Sequence, residues 1–125
     1  MPDPAQMAAV FAGLARIFAP FQPPLIATTD EPGHLNLQTP ASQRYPDGFF
    51  FGMVKIGKRY VSFHLMPVYT NPELLQTIGP ELRTRMHGKS CFNFTRLELE
   101  QIYELERLTA EAFTRYQRDG LIPAG

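Results

Sequence analysis

The residues of this chain with the most evident capacity for chemistry are cations. Arg83, Arg85, Lys89 and Arg96 follow one another with no acid between them, and His87 lies inside the run. Guanidinium groups meet phosphate and carboxylate oxygens in a two-pronged geometry, so residues 83–96 are the expected docking site for a small anionic molecule or an acidic protein surface. A structural reading competes with it. Arg83 and Arg85 fall in the last turn of an expected helix, where cations complement the dipole, and Lys89 and Arg96 can pair with an acidic closing helix. Gly88-Lys89-Ser90 imitates the end of a phosphate-binding loop, but Arg83 stands where that motif needs glycine. The expected order, helix before and strand after, is also the reverse of what the motif requires.

A second set lies on an expected strand, where Tyr60, Ser62, His64 and Met66 alternate with Val61, Phe63 and Leu65. Tyr60, Ser62 and His64 then share one sheet face, joined by His34, Asn36 and Gln38 if the first hairpin lies alongside. That face is either a shallow ligand site or the solvated side of an antiparallel sheet. If the strand holding Cys91 neighbours this one, Cys91, His64 and Asn93 can converge as nucleophile, base and orienting group. A cysteine among strand residues is equally a small buried hydrophobe. Glu100, Glu104 and Glu111 form a weak hard-cation set, although Glu104 with Arg107 and Glu111 with Arg115 have the spacing of helical salt bridges. The three histidines show no H-x-x-x-H spacing and the single cysteine no C-x-x-C, which gives no argument for structural zinc.

Positioning these groups requires several elements. Asp3 and Pro4 start a helix over residues 3–18 whose apolar stripe is Met7, Val10, Phe11, Leu14, Ile17 and Phe18, and Pro20, Pro23 and Pro24 end it. Leu25–Thr29 and His34–Thr39 flank the turn-forming Asp30-Glu31-Pro32-Gly33 and predict a hairpin. Phe49–Ile56 and Arg59–Tyr69, rich in aromatic and β-branched residues and joined through Gly57-Lys58, predict a second. Asn71-Pro72-Glu73 starts a helix that Gly79-Pro80 kinks or restarts and Gly88 caps. Ser90–Phe94 alternates as a short strand with Phe92 and Phe94 inward. Thr95-Arg96-Leu97-Glu98 has the form of a capping box opening the last helix, which Gly120 closes. The order α, ββ, ββ, α, β, α predicts an α+β two-layer sandwich, an antiparallel sheet of about five strands with helices on one face.

At 125 residues with 12 basic and 12 acidic side chains, the chain reads as one domain, residues 1–125. Hydrophobic content of 44% against 19% charged excludes a disordered chain, and zero net charge gives no global attraction to nucleic acid or acidic membranes. The charge is nevertheless uneven. Residues 1–43 hold 1 basic and 3 acidic side chains, 44–96 hold 8 and 3, and 97–125 hold 3 and 6. The weakly polar run Met7–Ala15 lacks a preceding cation and is too short to span a bilayer, so no secretory signal or membrane span is expected. With one thiol, the expectation is a cytoplasmic protein, monomeric or weakly dimeric.

The stretch Val54-Lys55-Ile56-Gly57-Lys58-Arg59-Tyr60-Val61-Ser62-Phe63, followed by a Pro-started helix, the strand Lys89-Ser90-Cys91-Phe92-Asn93-Phe94 and a long closing helix, resembles the YdhG-like domains of unknown function. The likeness covers about residues 45–118 and implies a frataxin-like fold. Some relatives are described as intracellular iron chaperones, so it also implies iron as a cargo; no other cofactor is expected. From the residues themselves the leading expectation is a non-enzymatic ligand- or partner-binding accessory domain. The frataxin-like iron chaperone is the alternative, and a thiol-dependent enzyme using Cys91 and His64 comes third.

Overall fold

A computed structural model describes residues 3–123; the extremities of the expected domain, residues 1–2 and 124–125, lie outside the described residues. Helix α1 (Pro4–Phe18) begins where Asp3 accepts the Ala5 amide at 3.0 Å and proline occupies the first turn. Its Met7, Val10, Leu14, Ile17 and Phe18 are buried, as the spacing predicts. The stretch Pro4–Phe21 has a mean hydropathy of 1.2, long and apolar enough to cross a membrane by that measure. Here its apolar stripe packs on the sheet and on the last helix.

Six strands form one sheet, all neighbours antiparallel. They are β1 (Ile26–Glu31), β2 (His34–Gln38), β3 (Phe50–Ile56), β4 (Val61–Leu65), β5 (Met86–His87) and β6 (Cys91–Phe94). Their spatial order is β1-β2-β3-β4-β6-β5. The first four form a simple meander. The β1–β2 turn needs only Pro32 and Gly33, with Gly33 at φ +81° where a side chain would be strained. The inward residues Leu35, Leu37, Val54, Val61, Phe63, Leu65, Phe92 and Phe94 are buried, and their alternates are half-buried or exposed. The fold is therefore α+β with helices covering one sheet face and the other left open.

The segment between β4 and β6 departs most from expectation. The strand expected to reach Tyr69 stops at Leu65, because Pro67 has no amide to donate and instead opens helix α2 (Met66–Thr70). The helix expected from Asn71 to Gly88, kinked or restarted at Gly79-Pro80, is a 3-10 segment (Pro72–Thr77), a four-residue helix α3 (Pro80–Arg83) restarted at Pro80, and then the short edge strand β5. Gly79-Pro80 interrupts it, and Gly88, at φ +76°, turns the β5–β6 hairpin in place of capping a helix. This extra strand raises the count from the expected five to six.

Helix α4 (Leu99–Arg118) starts three residues later than the Thr95 box predicts. Glu98 is its cap: the Glu98 amide donates to Gln101 Oε1 at 3.0 Å, and the Glu98 side chain returns the bond to the helix. Thr95 instead offers its carbonyl to Gln6 Nε2 at 2.7 Å, tying α1 to the segment before α4. Leu105, Leu108, Ala112 and Tyr116 carry the buried stripe. At the centre Phe18 stacks on Phe63 with ring centroids 4.9 Å apart.

Candidate functional site on the open sheet face

Register places two rows of side chains across the uncovered face. One row runs Glu31, His34, Lys55, Ser62, Asn93 across β1, β2, β3, β4 and β6. The other runs Asn36, Met53, His64, Cys91, His87 across β2, β3, β4, β6 and β5. Directly opposed residues on neighbouring strands point to the same side, so each row is a contiguous ladder.

The local reason that this face holds an aromatic is a bulge in β3. Leu37 pairs with Gly52 while Gln38 pairs with Phe50, so the ladder skips Phe51. Phe51 consequently points into the core against Phe18 and Tyr116, and Phe50 is carried outward with its ring 5.3 Å from the His64 ring. Gly52 permits this arrangement. A Cβ there would lie 2.7 Å from the His64 carbonyl and 2.8 Å from the Phe18 ring.

His64 is the hub. Its Nδ1 lies 2.8 Å from Cys91 Sγ, and its Nε2 lies 3.2 Å from Ser90 Oγ. Burial raises the Cys91 thiol above its ordinary range and lowers His64 below its own, so at neutral pH both are uncharged. We assign S–H donating to Nδ1 and Nε2–H donating to Ser90 Oγ, the arrangement in which each of these hydrogens is used. Beside this trio Ser62 Oγ donates to Asn93 Oδ1 at 3.0 Å.

The expected convergence of Cys91 and His64 is therefore present, but Asn93 does not orient the imidazole. Asn93 faces Ser62, one pair further along the ladder, and Ser90 holds the ring. The sequence carries no signal for this: alternation puts Ser90 on the same side as the inward Phe92, and its reach to His64 follows from the end of the ladder, where the Leu65 amide donates to the Ser90 carbonyl at 3.1 Å. Tyr60 precedes β4 and is 37% exposed. Of the first hairpin, Asn36 Nδ2 donates to Thr28 Oγ1 at 2.8 Å and Gln38 Nε2 to the Asp47 carbonyl at 3.0 Å, so both are engaged in local bonds.

The cationic run is distributed among separate partners. Arg83 Nη2 donates to the Leu75 carbonyl at 2.8 Å, Arg96 pairs with Glu98 at 3.4 Å, and Lys89 Nζ sits 5.9 Å from the centre of the Tyr69 ring. Arg85 lines an open groove that also holds Glu81, Glu98 and Glu100, and its buried Nε has no partner among the described residues. His87 belongs instead to the sheet-face row. Glu104 accepts from the Gly79 amide and lies 3.9 Å from Arg107, while Glu111 borders a different groove from Glu100. Among the described residues no three His, Cys, Asp or Glu side chains are gathered to hold a metal ion. The expected set Glu100, Glu104 and Glu111 is thus not assembled.

Comparison with known proteins adds no assignment: no family model matches the chain, and neither the curated proteins nor the solved structures give a significant match.

Proposed function

We propose that this chain is a non-enzymatic binding domain that takes a small anionic molecule on the open face of its sheet. The observation that carries this reading is the stretch Lys55, Ser62, Asn93, with His34 beside Lys55, which sets a cation, a hydroxyl, an amide and an imidazole side by side on a face that no described helix covers, the row's one carboxylate, Glu31, lying at the far β1 edge. Lys55 is exposed and, among the described residues, has no salt-bridge partner. The run 83–96, by contrast, is divided among a carbonyl, a carboxylate and an aromatic ring. Amide chemical-shift titration with inorganic phosphate and citrate tests the reading. Shifts should concentrate on β3, β4 and β6 and vanish in Lys55→Glu. If Arg83→Glu with Arg85→Glu removes binding while Lys55→Glu leaves it intact, the site is the groove at Arg85 and this reading fails.

A second reading has its own observation, the 2.8 Å contact between Cys91 Sγ and His64 Nδ1. An uncharged imidazole so placed can take the thiol proton as the sulfur attacks an electrophilic carbon. The iron-chaperone reading rests on the family resemblance, and the dispersed carboxylates give it no geometric support.

A further inference from the structure

We propose that Cys91 and His64 form a binding site for a soft monovalent metal ion, copper(I). The inference rests on the open face being the binding surface and concerns the row next to the one that serves an anion. Reading across the sheet, this second row is Met53, His64, Cys91, His87: a thioether, an imidazole, a thiol and an imidazole on four neighbouring strands. Thiolate and thioether donors favour soft ions such as copper(I), and imidazole also binds copper, whereas hard cations require several oxygen ligands. Lys55 occupies the adjacent row, whose one carboxylate, Glu31, lies at the β1 edge opposite His34, and no carboxylate belongs to the row of His64 and Cys91 itself.

The coordination demand also distinguishes the ions. Zinc takes four ligands and iron more than two, and no three His, Cys, Asp or Glu side chains are gathered among the described residues. Copper(I) is satisfied at low coordination by the two soft donors already in contact. Its uptake displaces the thiol proton to the buffer and leaves the oxidation state unchanged: sulfur gives one electron pair, Nδ1 gives the other. The Sγ to Nδ1 separation must open from 2.8 Å, because metal bonds of about 2.3 Å to sulfur and about 2.0 Å to nitrogen hold their donors farther apart.

The second shell is in place. Nε2–H donating to Ser90 Oγ fixes the tautomer that leaves the Nδ1 lone pair facing Cys91, and Phe50 packs against the same ring. His87 stands across from Cys91 on the side away from His64, exposed on a two-residue edge strand, and is not gathered with them as a third donor. Met53 is half-buried, is not among the side chains packed on the core, and flanks His64 on the other side.

The test is anaerobic competition for copper(I) against a coloured copper(I) chelator, using the whole chain, with circular dichroism confirming that each variant is folded. One-to-one uptake is expected, abolished by Cys91→Ser and by His64→Gln, and weakened roughly tenfold by Ser90→Ala, the usual scale for losing an orienting partner. Silver(I) should compete for the site, and zinc and ferrous iron should not. Absence of uptake, or undiminished uptake by folded Cys91→Ser or His64→Gln, overturns the inference. The phosphate and citrate titration reads Lys55 and Ser62 in the neighbouring row. Anion binding without copper(I) uptake therefore sinks the metal site alone, and the opposite result sinks the anion reading alone.

Discussion

At Cys91 and His64 the sheet holds two titratable groups whose charged forms are both disfavoured by burial. The thiol should alkylate slowly with iodoacetamide at neutral pH and speed up only above the usual thiol range, about pH 8.5. Rapid neutral labelling of the folded chain would contradict the raised thiol. For His64 the sign runs the other way. Its folded pKa is depressed, so below about pH 6.5 the unfolded chain binds a proton that the folded chain resists, and stability falls with falling pH. In the metal-free protein, thermal melts should show this decline between pH 7 and the folded pKa, and His64→Gln should flatten it. Gly52 acts at the same scale. Gly52→Ala forces a methyl against the His64 carbonyl and the Phe18 ring, and should cost about 1–3 kcal/mol, read by urea denaturation. A neutral result would mean that β3 and Phe18 yield more readily than their packing suggests.

Between elements, Arg115 ties α4 to the start of the segment after α2 by two bonds. Its Nη1 donates to Asn71 Oδ1 at 2.7 Å and to Glu73 Oε2 at 2.6 Å. The Arg115 bond holds the Glu73 carboxyl below its usual range, so this contribution is present above the ordinary carboxylate pKa and disappears as pH falls through the lowered one. Arg115→Ala should lower Tm more than Glu73→Gln, because it also strands Asn71; equal effects would show the ion pair to be the whole contribution. The same region marks the limit of what the sequence discloses. Alternation identified the inward faces of β4 and β6 because each has one buried side, and caps and prolines located α1. Residues 66–88 were opaque because a proline at position 67, another at 72 and a third at 80 each permit a helix start, and local signals do not say how far each turn extends. The site was legible in its parts. Cys91 and His64 shared an outward side by parity, but which outward residues meet depends on strand register, which parity does not set. The bulge that turns Phe50 outward leaves no distinct mark in the sequence.

At the largest scale, the described residues form a sheet with two edges and, among them, no helix over its outer side. β5 is only two residues long, and β1 carries a register shift between Ala27 and Thr29 together with Asp30 and Glu31. Short, irregular and charged edges discourage strand addition by a second copy. Asp30→Thr with Glu31→Val should therefore promote association, visible as higher mass in light scattering, whereas an unchanged mass would show that the edge is guarded by its bulge alone. The two long helices add a different constraint. α1 packs against α4, Phe21 meets Phe113 with ring centroids 4.9 Å apart, and Leu97 fills the space beside Gly13. During synthesis the β1–β4 meander can assemble from neighbours in the chain, yet the apolar stripe of α1 has no α4 to meet until about a hundred residues later. On the ribosome this protein must carry an unfinished core: its first helix can settle on β3 and β4, but the side that meets α4 stays uncovered until that last helix emerges.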